Sequence, residues 1–342
     1  MLKSFGKLPV GERLSRIKKS AHYREGEFKN LSITPMLAEG VSYPKMIVDF
    51  FSKGVNRVPD VPIPSIKTNL KELTGNTPIL VWFGHSSYFL CINEKNILVD
   101  PVFSASPSPI PILGKKAFPV TYPYSLRDLP NIDLVIITHD HYDHLDYATI
   151  NALKSGEPQF YTALGVGAHL ESWGIEKENI TEFDWWEKHT FSPGMDFIAT
   201  PARHFSGRLF TRNQSLWSSF VLKTKSLSIF IGGDSGYDTT FKIIGDQFGP
   251  FDLAILECGQ YNEQWPFIHM MPEEVVEASM DLQAKAFLPA HWAKFTLALH
   301  EWTDPVDRAL KRAEERSVFM TTPLIGEVLF LEDPLPVKRW WR

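Results

Sequence analysis

The sequence predicts an α/β fold in which sheet packs on sheet with helices outside, and three observations predict it. Strand signals arrive in quick succession between residues 78 and 100, separated only by short polar breaks. From residue 146 onward helical patterns interleave with strands instead of forming a separate block. A chain of 342 residues, 44% apolar and 22% charged, has an ordinary globular composition and is long enough to bury a sizeable core as one unit.

The elements follow in order. Residues 1–65 have weak periodicity and end in "VPDVPIPS", an extended connector. They are expected to form an arm packed on a main domain of residues 66–342. "PILVWF", "SYFLCI" and "NILVD" read as strands. The stretch from Pro101 to Pro130 is rich in Pro and Ser and has no period; so long a loop usually forms a wall or lid of a site. The apolar run "IDLVII" is the next strand. A helix at 146–155, a strand at 158–163 and a helix at 165–174 follow, with Gly174 as a stop. Strands come at 195–202, 216–224 and 227–234, the last two as a hairpin. Helix 239–248, strand 251–257, helix 272–286 and strand 287–291 complete the reading.

Charge and cysteine content bound the partners. A net charge of -5 gives no general affinity for nucleic acid. Residues 1–30 run against it, with eight basic side chains (Lys3, Lys7, Arg13, Arg16, Lys18, Lys19, Arg24 and Lys29) and three acidic ones, a net +5. With Leu2, Phe5, Leu14 and Ile17 among them, this arm could touch an anionic membrane surface peripherally. Pro9 interrupts any long amphipathic helix, however, and a solvated arm lying on the domain is the plainer expectation. Cys91 and Cys258 are too few for a disulfide framework or a thiolate zinc site, which fits a reducing compartment. No run approaches the length of a membrane span, and the first twenty residues lack the apolar stretch of a secretory signal. A cytoplasmic protein is expected.

The chemistry begins in "THDHYDHLD", residues 138–146, which puts three histidines and three aspartates straight after an apolar strand. His139 and His141 are two apart and face the same way on an extended segment, with Asp143 and His144 following after a turn. Imidazole nitrogen and carboxylate oxygen suit Zn(II), and also Mn(II) or Fe(II). Three later strand ends each add one candidate: His204 in "PARHFSGR", Asp234 in "GGDSGYD" and His291 in "PAHWAKF". The seven residues are enough for two metals if a carboxylate bridges them and a water is shared.

The pattern His-x-His-x-Asp-His, followed by a distant His, Asp and His, resembles the metallo-β-lactamase superfamily. Within it the match is to the N-acyl-phosphatidylethanolamine-hydrolysing phospholipase D family. Segments from "HYREGEFKN" through "WFGHSSYFL", "ILVDPVFS", "DWWE" and "SLWSSFV" to "HMMPEE" carry the match in order over nearly the whole chain. The resemblance implies an αββα four-layer sandwich with two Zn2+ at one edge between the sheets. His139, His141 and His204 would hold one zinc and Asp143, His144 and His291 the other, with Asp234 bridging; Asp143 and Asp234 are the carboxylates placed closest to the reaction. It also implies a lipid or other small-molecule substrate and, from dimeric relatives, a homodimer. A water shared by two cations has its pKa lowered towards neutrality and becomes the nucleophile.

Four further residues are candidates for the surroundings of the metals. Asp100 could fix the tautomer of a ligating imidazole or cap the turn before Pro101. His85 sits where the superfamily places a residue beside the metals, and His269 matches a family histidine near the head group. Arg208 could pair with a phosphate or with a structural carboxylate. His22, His169, His189 and His300 have no supporting context. Eight aromatic residues near these segments (Trp185, Trp186, Phe205, Trp217, Tyr237, Tyr261, Trp265 and Phe267) suit either an acyl chain or the core. The expected function is a phosphodiesterase of phospholipase D type acting on N-acyl-phosphatidylethanolamine-like lipids through a metal-bridging hydroxide. The alternatives are a lactone or amide hydrolase of the same fold and a non-catalytic metal-binding protein.

Overall fold

A computed structural model describes residues 3–342 apart from 43, 45, 47, 50, 51, 53–55, 74–76, 111–113, 119–123, 209 and 210. Leu2 of the basic arm and parts of the 101–130 loop therefore lie outside the described residues. The arm carries helix α1 (Gly11–Ile17) and a small ribbon of β1 (Tyr23–Arg24) and β2 (Glu27–Phe28). Ile17 and Phe28 are fully buried in the main core. Three of the arm's cations are held within the chain: Arg13 pairs with Glu171 and Glu182, Arg16 with Glu187, and Lys29 with Glu25 and Glu27.

Seven strands form the first sheet: β3 (Ile79–Trp82), β4 (Tyr88–Ile92), β5 (Lys95–Val99), β6 (Leu134–Ile137), β7 (Gln159–Ala163), β8 (Ile180–Phe183) and the late β15 (Val328–Phe330). Their order is β15-β3-β4-β5-β6-β7-β8, antiparallel as far as β5 and parallel beyond it. The second sheet has β9 (Lys188–Ser192), β10 (Met195–Pro201), β11 (Ser218–Thr224), β12 (Ser228–Ile231), β13 (Leu253–Glu257) and β14 (Phe287–Ala290), in the order β14-β13-β12-β11-β10-β9. The 216–224 and 227–234 segments do pair as a hairpin.

Both faces of the first sheet are covered at β3, β4 and β6, which is why these strands read as unbroken apolar runs. Leu80, Trp82, Leu90, Ile97 and Ile136 point into the core shared with the second sheet. Their neighbours Ile79, Val81, Phe89, Leu98 and Val135 point the other way, under α1, α2 (Tyr147–Leu153) and α3 (Gly167–Ser172). Helices α4 (Thr240–Phe248), α5 (Pro272–Asp281) and α6 (Asp304–Arg316) cover the second sheet, burying Ile244, Val275, Val276, Val306 and Leu310. The result is an αββα sandwich. Helix α5 stops at Asp281, short of the expected 286, because Gln283 takes a left-handed φ of 56° that an α-helix cannot contain.

Candidate metal centre

Each residue of the centre lies at the carboxyl end of a strand. His85 follows β3, Asp100 follows β5, and His139 to His144 follow β6. His204, Asp234 and His291 follow β10, β12 and β14, and Glu257 ends β13. Within each sheet these strands run in the same direction, so the two sheets deliver their ends to one rim. The turn before Asp234 needs glycine: a Cβ on Gly233 would lie 2.6 Å from the Ser218 carbonyl oxygen. His85, Asp100 and His291 take left-handed backbone, with φ of 53°, 39° and 65°. Such conformations cost roughly 1–3 kcal/mol each and collect at functional sites.

Three overlapping groups of donor atoms result among the described residues; the third, Asp234, Glu257, His269 and His291, shares members with the two that contain the expected ligands. In the first, His141 Nδ1 lies 2.9 Å from His139 Nε2 and 3.2 Å from His204 Nε2. Asp234 Oδ2 stands 3.9 Å and 3.7 Å from those same two nitrogens. In the second, Asp143 Oδ2 lies 2.9 Å from His85 Nε2, 3.5 Å from His144 Nε2 and 4.0 Å from His291 Nε2. Asp234 reaches this group too, with Oδ2 3.2 Å from His144 Nε2 and Oδ1 3.2 Å from His291 Nδ1. His85 thus stands inside the second group, as close to Asp143 as any of the others.

The outer nitrogens of the rings are tied down. His139 Nδ1 is 3.0 Å from Thr138 Oγ1, and His204 Nδ1 donates to the Ile268 carbonyl at 2.8 Å. His144 Nδ1 lies 2.7 Å from Asp100 Oδ2, and Asp100 also accepts from the Thr138 amide and hydroxyl. For His204 and His144 these partners leave the Nε2 lone pair facing the cluster.

Burial, and then the neighbouring rings His144 and His141, hold His139 well below the usual histidine pKa. Burial does the same for His204 and His291. Burial also opposes charge on His144, but Asp234, Asp143 and Asp100 outweigh it and raise its pKa well above normal. Burial alone would raise Asp143 and Asp234, yet the adjacent histidines, His144 foremost, hold both carboxyls well below the carboxylate range. His144 Nε2 and Asp234 Oδ1 are buried with no aligned hydrogen bond among the described residues; their contacts at 3.2 Å are to Asp234 Oδ2 and His291 Nδ1, respectively. Convergent imidazole lone pairs, ionised carboxylates and these two unsatisfied atoms are a donor set that fits divalent metal.

The cluster lines a cavity of about 420 Å3. His141, Asp143, His204, Asp234, His269 and His291 form its polar side, and Met46, Phe205, Trp265, Ile268 and Leu297 its apolar side. His269 stacks on His291 with ring centroids 5.3 Å apart and lies 3.1 Å from Glu257. Burial raises the Glu257 carboxyl to about 7. Glu257 was not among the residues singled out above, although it closes an apolar run just as Asp100 and Asp234 do. Ser86, 2.8 Å from His291 Nδ1, carried no such signal.

The expectations for Arg208 and the 101–130 loop need correction, and of the two alternatives for the aromatic residues the core accounts for most. Arg208 faces neither the cavity nor a carboxylate; its guanidinium donates to the carbonyls of Asp140, Leu145 and Ser4. Only Phe205 and Trp265 of the eight aromatic residues line the cavity, and Trp185, Trp217 and Tyr261 are buried core. None of the described residues of the 101–130 loop lines it either. Phe103, Ala105, Phe118 and Tyr124 line a separate cavity of about 270 Å3 with Phe83 and Lys294.

The model of a beta-lactamase superfamily domain matches residues 95–292, more than half of the chain. The chain belongs to the metallo-β-lactamase superfamily. It is similar to an uncharacterized protein of Mycobacterium tuberculosis, 38% identical over 328 residues that cover 94% of this chain and 88% of the relative. It is also 33% identical to the mitochondrial N-acyl-phosphatidylethanolamine-hydrolyzing phospholipase D of Saccharomyces cerevisiae, over 73% of this chain and 55% of the relative. A metallo hydrolase from Ignicoccus hospitalis shares the fold, with a TM-score of 0.58 at 21% identity over 74% of this chain and 97% of that one. The protein is a superfamily hydrolase related to these phospholipases, and divalent metal use follows from the fold and its His/Asp clusters.

Proposed function

We propose that the protein is a two-zinc phosphodiesterase of phospholipase D type whose substrates are N-acyl-phosphatidylethanolamine-like lipids. The observation that carries this reading is the cavity, with a donor cluster on one side and an apolar wall on the other. Among its described lining residues there is no lysine or arginine, so the cavity offers an anionic group only the cluster itself. A free carboxylate or the further phosphates of a nucleotide have no lysine or arginine to meet among those residues. A diester with an apolar body has a surface to bury. The similarity to the yeast phospholipase points the same way.

His139, His141 and His204 would hold one ion, and Asp143, His144 and His291 the other, with Asp234 between and His85 against Asp143. Two ions bound there would supply Lewis acidity to phosphoryl oxygens and an activated water. The chain's own residues orient and exclude water. Asp100 and the Ile268 carbonyl fix the rings of His144 and His204, and Trp265, Ile268 and Leu297 shield the reacting end. His269, backed by Glu257, presents an imidazole beside His204 and His291, 5.0 Å and 5.3 Å away between centroids. It can hold a proton next to a leaving oxygen.

The test is product analysis. Zinc-loaded protein with N-acyl-phosphatidylethanolamine in 18O-labelled water should give phosphatidic acid carrying the label and unlabelled N-acylethanolamine. Turnover confined to lactones or amides would overturn the phosphodiesterase reading while leaving the metal centre in place.

A further inference from the structure

We propose that the first residues of the chain form a strap that positions the metal-binding loop, acting through Arg208 and His169. The inference rests on the metal reading above. The loop from Asp140 to Leu145 carries His141, Asp143 and His144 and is not part of any helix or strand. It is held chiefly from outside. Arg208, buried, donates through Nη1 to the carbonyl oxygens of Asp140 and Leu145 at 2.7 Å and 2.8 Å, the two ends of the loop. Through Nη2 it donates to the Ser4 carbonyl at 2.8 Å. Its guanidinium lies 4.1 Å from the Tyr142 ring centroid, and the Tyr142 hydroxyl donates back to the Arg208 carbonyl at 2.7 Å.

Asp140 is pinned a second way. Its carboxylate accepts from the Gly207 amide at 2.7 Å and the Ser215 hydroxyl at 2.8 Å, and lies 3.3 Å from His169 Nε2. The other nitrogen of His169, Nδ1, accepts from the Lys7 amide at 3.1 Å, which leaves the proton on Nε2, facing Asp140. Trp173 Nε1 donates to the Lys3 carbonyl at 2.7 Å, and its ring lies 5.2 Å from the guanidinium. Residues 3–7 are therefore bonded, through Lys3, Ser4 and Lys7, to Trp173, Arg208 and His169. Of these, Arg208 and His169 grip the ligand loop directly. Such outer partners set ligand orientation, and losing one typically costs about 10–100-fold in metal affinity or activity.

Gly6 offers a way in that touches no ligand. It takes a left-handed φ of 75°, and a Cβ there would lie 2.1 Å from His169 Nδ1. Zinc affinity and stoichiometry of the full chain are measured by competition with a chromophoric chelator, next to thermal melts. Gly6→Val should lose about 10–100-fold in affinity for at least one zinc. His169→Gln, which can still donate to Asp140 and accept from Lys7, should keep most of it. Gly6→Val binding zinc like the unmodified chain, even with a lower melting temperature, would overturn the strap and leave the arm a packing element. Should Gly6→Val not fold, the smaller Gly6→Ala, whose Cβ meets the same His169 nitrogen, is read in the same way: lost zinc affinity supports the strap and unchanged affinity overturns it. An unmodified chain that takes up no zinc would sink the metal reading itself, and the strap with it.

Discussion

The two donor groups share Asp234 but differ in character. The first, His139, His141 and His204, brings three imidazoles whose pKa values burial depresses, and its rings are tied to a hydroxyl and a backbone carbonyl. The second, His85, Asp143, His144 and His291, includes a carboxylate of its own and has another, Asp100, behind His144. Carboxylates raise the basicity of His144, so this group binds a proton where the first does not. The lesson is that one cluster can present two donor sets that differ in their affinity for protons.

The largest expected effect breaks the shared element. Asp234→Ala should abolish activity and take metal content below one per chain, because both groups lose a donor at once, whereas His204→Ala should remove about one metal. Elemental analysis checks both. Equal loss in the two variants would mean that Asp234 belongs to one group only.

Acid should separate the groups. The raised pKa of His144 lets protons compete for the second group at higher pH than for the first, whose depressed histidines stay neutral further into acid. Metal counted after equilibration at falling pH should therefore pass through a one-metal species retaining His139, His141 and His204. Simultaneous release of both ions would break the comparison.

A smaller effect sharpens it. Asp100→Asn keeps the shape but weakens the acceptor for His144 Nδ1, and should lower affinity at the second group by about 10–100-fold while sparing the first. Competitive zinc titration resolves the two constants.

The last effect lies outside both groups, at Lys294, and bears on folding stability, not on metal. Burial pushes its ammonium down to about 8, against about 10.4 in an unfolded chain. Between those values the unfolded state binds more protons, so stability should rise with pH there, by up to about 3 kcal/mol. Below about 8 the burial cost is fully present. Chemical denaturation of Lys294→Met across this range should lack the slope.

How much of this was legible varies from region to region. The buried strands β3, β4 and β6 were readable because both faces are covered and their apolar runs are unbroken. β8 and β9 were not, because "ITEF" and "KHTFS" lie partly or largely exposed, without a clear alternation. Helix α6 was missed although Pro305 marks its start, because Ala309 and Ala313 make much of its buried face and alanine gives little contrast. In the centre, the motif after β6 and the three later strand ends were found from residue type and position. Glu257 obeys the same rule but was not singled out.

The sequence by itself determined which side chains could bind metal and that they sit where apolar runs end, since ligand chemistry and strand periodicity are local properties. The tertiary structure decided which of them meet. Only the common direction of β3, β5, β6, β10, β12, β13 and β14 brings their ends to one rim. It placed His85 against Asp143 and Glu257 against His269, and turned Arg208 away from the cavity to hold the loop and the arm. A side chain's type fixes what it can bind, but its neighbours come from distant parts of the chain, and the fold alone sets those distances.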